Sequence, residues 1–233
     1  MKDRTGPQSA SQGEPTPQPS GAPAASPSGR ELPVVGSPRP ERADARRNRL
    51  RVLEAADRLF TAHGVRNVSL DAIAAEAGVG KGTVFRRFGD RAGLAVALLD
   101  EREQQLQAQI LTGPPPLGPG APPATRATAF LEAYLDLLDR HTELFLDSEN
   151  ASPGARYRIG SYHLWHRHLA HLTEQANPTL DPNYTAHTLL APLAADLHTF
   201  LRTTHSLPHL KSALTALVTT LLTPPPPSRT STR

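Results

Sequence analysis

Proline is crowded into three stretches of this chain, residues 6–40, 114–123 and 224–227, and is sparse elsewhere, although the total of 24 is high for 233 residues. The ring removes a backbone donor and clashes with the preceding helical turn, so these clusters mark where helices stop. Between them the chain is rich in Ala and Leu and poor in Gly and β-branched runs. The expected fold is therefore all-α. The Pro-rich ends at 1–40 and 223–233 have little to bury and are expected to be disordered tails. The first tail holds four basic and three acidic residues, a balance that gives little support to a DNA-contacting arm.

Several classes drop out on composition. There is no cysteine, which removes disulfides and thiolate metal sites. No uncharged apolar run reaches the roughly 18 residues that a membrane span needs. The N-terminus lacks the apolar core of a secretory signal. The expected location is the cytoplasm. No membrane partner and no cofactor are expected.

The net charge of +3 hides an asymmetry. Residues 41–91 hold 11 Lys/Arg against 7 Asp/Glu, a net of +4, whereas residues 92–222 hold 8 against 12, a net of −4. A basic segment joined to an acidic one suggests that the first meets a polyanion.

Helical spacing and stop signals divide residues 43–222. A first helix is expected over about 43–63, with Val52, Ala55, Ala56, Leu59 and Phe60 on one face and Gly64 as its stop. Ser69 can cap a second helix, and Asp90 a fourth running to about Leu111. The Pro/Gly run from Gly113 reads as a flexible connection. Further helices are expected over about 124–140, 142–150, 155–176, 182–205 (kinked at Pro192) and 208–222.

The segment from Ser69 to Phe88 has the logic of two short helices crossing through a tight turn. Ala74 and Ala77 are small enough for close approach, and Gly78 can take unusual backbone angles. Val79, Val84 and Phe88 can then bury against Ile73 and the first helix. That leaves Lys81, Gly82, Thr83, Phe85 and Arg86 on or beside the outward face of a third helix, which fits the major groove of B-DNA.

These residues resemble the TetR family of bacterial one-component regulators. The resemblance is carried by Gly64, Ser69, Ile73-Ala74, Ala77-Gly78-Val79, Gly82-Thr83, Phe85, Phe88, Arg91 and Leu94, within residues 46–96. It implies an N-terminal three-helix helix-turn-helix domain over 41–91 and a helical ligand-binding and dimerisation domain over 92–222. It implies that Ser69 and Arg91 meet phosphates, and that Thr83 and the backbone near Gly82 contact a phosphate or a base edge. Lys81 and Arg86 are candidates to read bases, because both can reach guanine O6 and N7. Arg46 and Arg47 can reach an adjacent phosphate or the minor groove. The family usually has Tyr at Phe85 and often His at Arg87. The phenolic oxygen is lost, and Phe85 is left to pack or to touch a thymine methyl, while Arg87 adds a positive charge.

Nothing in residues 97–222 matches a catalytic motif, so an enzyme is not expected. Phe130, Tyr134, Phe145, Tyr162, Trp165 and His166 are candidates to line a pocket for an unknown small molecule, against the simpler reading that aromatics at helical spacing are core. His163 with His166, and His168 with His171, are each three apart, but no carboxylate stands in register with them and no metal site is expected. The leucines of helices 182–205 and 208–222 are more numerous than a peripheral pair needs, so these helices are expected to form a homodimer interface. The function expected is a sequence-specific DNA-binding regulator, a repressor released from a palindromic operator by its ligand and resident on the nucleoid when DNA-bound. The alternative is an architectural, nonspecific DNA-binding protein without a ligand.

Overall fold

The computed structural model describes residues 40–223, and among them every regular element is helical. The elements are α1 (Pro40–His63), α2 (Leu70–Ala77), α3 (Lys81–Phe88), α4 (Arg91–Thr112) and α5 (Pro123–Arg140). They continue with α6 (Thr142–Glu149), α7 (Gly160–Ala176), α8 (Pro182–Leu190), α9 (Ala195–Arg202) and α10 (Leu207–Leu222). Short 3₁₀ turns lie at Val65–Asn67, Ala155–Arg158 and Ala191–Leu193. Pro40 opens α1 and Thr223 follows α10; the rest of the two expected tails lies outside the described residues. No described helix is long and apolar enough to cross a membrane.

Caps set the boundaries of the N-terminal helices. The Ser69 hydroxyl accepts from the Ala72 amide at 3.1 Å, and the Asp90 carboxylate accepts from the Gly93 amide at 2.8 Å. Each removes one of the free donors that a helix start leaves. Gly78 ends α2 in the left-handed region, φ 63°, where its amide returns to the last turn of the helix. Gly64, at φ 77°, turns the chain out of α1.

α1, α2 and α3 pack through Val52, Leu53, Ala55, Ala56, Phe60, Ile73, Ala74, Ala77 and Val84, all buried. Leu59, Val79 and Phe88 are half-buried against them. Complete burial of a side chain the size of Ile73 or Val84 stabilises by about 1.5–3 kcal/mol, enough to hold helices this short that would not persist alone. The buried set continues without a break along α4 into the second group of helices, where α5 packs against α7 and α10 and α7 against α8.

Three elements differ from the sequence expectation. The helix expected over about 155–176 begins only at Gly160, because Ala155–Arg158 forms a separate 3₁₀ turn and Ile159 between them is extended. The connection from Gly113 to Pro122 is a set of turns folded onto the helices rather than a loose strap: Gly118 lies against the Gly113 carbonyl, Leu117 packs on the core, and Arg126 Nη2 donates to the Ile110 carbonyl at 3.1 Å. The helix expected over 182–205 is cut at Pro192 into α8, a 3₁₀ turn and α9.

Candidate nucleic-acid interface and effector cleft

α3 is anchored on one side only. Val84 is fully buried and Phe88, four residues on, packs against the core, so the opposite side of the helix faces outward. Lys81, Gly82, Phe85, Arg86 and Arg87 are exposed there, and Thr83 is half-buried beside them. Phe85 is 63% exposed, so it is not a core residue, and an apolar tip stands within a basic surface. Gly80 precedes the helix in extended backbone and offers no side-chain cap, which leaves the first amides of α3 open to a phosphate.

The candidate cations differ in how far they are already engaged. Lys81 Nζ pairs with Asp71 of α2 at 2.8 Å. Arg87 Nη1 donates to the Ala45 carbonyl at 2.8 Å, tying α3 to the start of α1. Arg91 Nη1 donates to the Arg66 carbonyl at 2.6 Å, and Arg47 pairs with Asp44. Ser69 spends its oxygen on its cap. Arg46 and Arg86 are exposed and make no hydrogen bond or ion pair with the described residues. Arg86 is thus the cation of α3 readiest for an incoming ligand.

The α1–α3 module is joined to the remaining helices by polar contacts. Arg49 pairs with Glu101 at 3.1 Å, and Asp57 with Arg102 at 2.5 Å. His141, buried at the start of α6, stands 3.5 Å from Asp57. Burial pushes its imidazole below the ordinary range, Asp57 opposes, and Arg102 and Arg140 add to the fall. Glu143 Oε2 accepts from the Val65 amide at 3.0 Å, linking α6 directly to the turn that follows α1. Replacing Glu143 by Ala removes that acceptor, and we expect deuterium exchange at the Val65 amide to speed by about tenfold while amides within α2 are unchanged. Unchanged exchange at Val65 would mean that this contact does not hold the turn.

Two recesses among the described helices bear on the candidate residues. The larger, about 1330 Å³, runs between α4, α6, the 155–158 turn and the start of α7. At the module end its wall includes Val65, Arg66, Asp90 and Arg91; further in it includes Leu99, Asp100, Glu103, Leu144, Asp147, Ser148, Leu164 and Trp165. The smaller, about 540 Å³, is lined by tyrosines and histidines of α7 and α8.

The six aromatic candidates separate into three groups. Phe130, Tyr134 and Phe145 are buried in a closed cluster with Trp165, with Phe130–Trp165 ring centroids 5.3 Å apart and Tyr134–Phe145 centroids 5.7 Å apart. Trp165 also forms part of the wall of the larger cleft. Tyr162 and His166 line the smaller recess, where the Tyr162 hydroxyl lies 2.8 Å from His187 Nδ1 and the His166 and His187 rings are 4.1 Å apart. Burial and the neighbouring His166 hold His187 below its ordinary range. His168 turns inward, edge-on to Phe130, and burial, aided by Arg126 and His171, pushes it down to about 4. Among the described residues no three His, Cys, Asp or Glu side chains are placed to hold a metal ion.

Sequence reading missed the polar wall of the larger cleft. Glu103 carries its strongest electrostatic feature: burial pushes the carboxyl up to about 7, the Ser161 hydroxyl opposes in part, and Asp100 and Glu149 add to the rise. A signal was present, since Ala95, Leu99 and Glu103 stand four apart on one face of α4, so a carboxylate interrupts an otherwise apolar stripe.

The leucines expected at a dimer interface divide as well. Leu189, Leu190, Leu193, Leu210, Leu214, Val218 and Leu222 are buried within the chain, whereas Leu197, Phe200 and Leu217 remain 39%, 67% and 38% exposed.

Residues 52–98 match the family model of bacterial regulatory proteins, tetR family. An HTH-type transcriptional regulator of Staphylococcus aureus (strain USA300) is 47% identical over 53 residues, which is 23% of this chain and 29% of that protein. The likeness to that regulator therefore spans under a third of its length. A transcriptional regulator from Rhodococcus sp. Rha1 superposes with a TM-score of 0.58 over 75% of this chain and 95% of its own, at 19% identity. A regulator of the TetR/AcrR family from Thermobifida fusca superposes with a TM-score of 0.53, covering 73% and 95%, at 21% identity.

Proposed function

We propose that this chain, a member of the TetR family of bacterial regulatory proteins, is a DNA-binding transcriptional repressor that leaves a palindromic operator when a small molecule occupies the cleft beside α4. The observation that carries the reading is α3 itself. It is a short helix held by Val84 and Phe88, with Lys81, Phe85 and Arg86 outward and its first amides uncapped. A helix of that width and charge enters the major groove, with its phosphate contacts supplied by Thr83, Arg87, Arg91 and the α1 arginines.

The protein acts as a homodimer, using the outer faces of α8, α9 and α10, where Tyr184, Leu197, Phe200 and Leu217 are exposed. A two-fold axis places two recognition helices about one DNA turn apart. Most leucines of these helices are occupied internally, so the interface relies on fewer apolar side chains than their number suggests. The cytoplasm, and the nucleoid when DNA-bound, is where such a protein works.

The route from ligand to DNA follows from the position of the cleft. Its module end is the Arg66–Arg91 contact and the Asp90 cap, and its side is α6, which holds the turn after α1 through Glu143. A ligand that fits best when α4 and α6 are displaced shifts the spacing of the two DNA-binding heads to one that cannot span both half-sites.

Selection of bound DNA from a random pool is the test. The expected product is an inverted repeat with half-sites about one helical turn apart. Recovery of DNA with no shared sequence would instead establish the architectural alternative.

A further inference from the structure

α3 carries one large apolar side chain that its own chain does not cover. Phe85 is the exposed large apolar residue of the DNA-binding module: among the described residues of α1–α3 no other is exposed. Gly82 stands three residues before it and Gly89 four after, and a Cβ at either would meet open space. No side chain at these neighbouring positions shelters the ring, and none keeps the helix backbone beside it from a close approach. A ring left in water also forfeits the burial that Phe88 obtains three residues later.

The surroundings of the ring say what covers it. Tyr184, Leu197, Phe200 and Leu217 are exposed together on α8, α9 and α10, as an apolar interface requires. Phe85 instead stands among exposed Lys81, Arg86 and Arg87, a setting that suits a polyanion. A phenyl ring has no donor to give a phosphate. In the major groove of B-DNA the base edges offer hydrogen-bonding groups and one apolar group, the thymine C5-methyl.

We propose that Phe85 is a specificity-determining residue: its ring covers the C5-methyl of a thymine in each half-site, and Gly82 lets the backbone of α3 come close to that base pair. This rests on the reading of α3 as the recognition helix. The contact excludes water from the methyl and forms no hydrogen bond. It therefore separates thymine from cytosine and from uracil, which both lack the methyl. Arg86, the next residue, reads a hydrogen-bonding edge, so the two neighbours use different features of the groove.

The size of the effect follows from the area of one methyl. Burying it against an apolar ring is worth about fourfold in affinity. A dimer that meets both half-sites makes the contact twice, and distant contacts add in free energy. Removing both methyls therefore costs about 15-fold.

The experiment uses the full chain and the operator recovered from the random pool. Each thymine position is replaced in turn by deoxyuridine, in both half-sites together, which removes the methyl and keeps the base pair. One position is expected to lose about 15-fold in affinity while the others change little. Phe85→Ala should weaken the unmodified operator by a similar factor and no longer distinguish thymine from uracil at that position. Phe85→Leu should keep part of the discrimination. A melting curve and unchanged binding to scrambled DNA show both variants folded. The proposal is overturned if no thymine position responds, or if Phe85→Ala discriminates as well as the unaltered chain. A loss in Phe85→Ala without any response to deoxyuridine would put the ring on the sugars and overturn it too. A shared inverted repeat with no methyl-sensitive position sinks this assignment alone. A pool that yields no shared sequence sinks the reading of α3, and this assignment with it.

Discussion

Replacing Arg156 by alanine is expected to lower the stability of the chain by about 3–5 kcal/mol, because it strands a buried carboxylate and uncaps a broken helix at once. After Pro192 the helix does not continue, and the Ala194 amide, which an unbroken helix would give to the Leu190 carbonyl, donates to the Ala191 carbonyl instead, so carbonyls on either side of the break need other donors. Arg156, 6% exposed, supplies them: Nη2 donates to the Leu190 carbonyl and Nη1 to the Leu193 carbonyl, each at 2.9 Å. Its charge also suits the negative end of the α8 dipole. The same guanidinium pairs with Glu149, whose other oxygen accepts from the Ala195 amide at 2.9 Å. That amide is the first of α9, and the preceding Ala194 has no side chain that can cap it. One ion pair therefore serves both sides of the break. Urea unfolding of Arg156→Ala measures the loss. A cost below about 1 kcal/mol would mean that the pair behaves as an exposed one. Replacing both partners by leucine should recover part of the loss, since it leaves no charge behind.

That splice also shows where the sequence stops being readable. Pro192 marks a disturbance in any reading, but a kink and a complete break differ only by the partners available to the freed carbonyls. Here those partners are Arg156 and Glu149, more than thirty residues earlier in the chain. Local signals fared better. Ser69, Gly78 and Asp90 act within three or four residues, and α2, α3 and α4 begin and end within a residue of where these caps place them. The Pro/Gly run after Gly113 was legible as an end to α4. Its folded form depends on Leu117 and Arg126 finding the core and the Ile110 carbonyl, which no local rule supplies.

The candidate ligand residues divide for a different reason. Helical spacing correctly turns Phe130, Tyr134, Phe145 and Trp165 inward, but facing inward does not say whether space is left over. Large rings fill volume, and these four close on one another. Open volume arises where inward side chains are small, here Ala95, Ser148, Ala155 and Ser161 around the larger cleft. A pocket is thus better sought where an inward stripe becomes small or turns polar than where it is richest in aromatics.

Arg86→Ala should reduce affinity for the selected operator by about 1–3 kcal/mol, roughly 5- to 150-fold, while nonspecific binding changes little. The side chain is exposed on the outward face of α3 with no intramolecular partner, so its whole donor set is available to a guanine edge. Lys81→Ala should act in the same direction but more weakly, because Lys81 must first release Asp71. Arg91 offers the contrast. It lies at the start of α4, off the recognition helix, and holds the Arg66 carbonyl at 2.6 Å. A phosphate contact there neutralises charge without reading sequence, so Arg91→Ala should weaken specific and nonspecific complexes alike and reduce the salt dependence by about one counterion. Titrations of operator and scrambled DNA at several salt concentrations distinguish the two. If Arg86→Ala shifts both DNAs equally, Arg86 positions rather than reads. Sequence discrimination must then rest on Lys81 and on Phe85 against a thymine methyl.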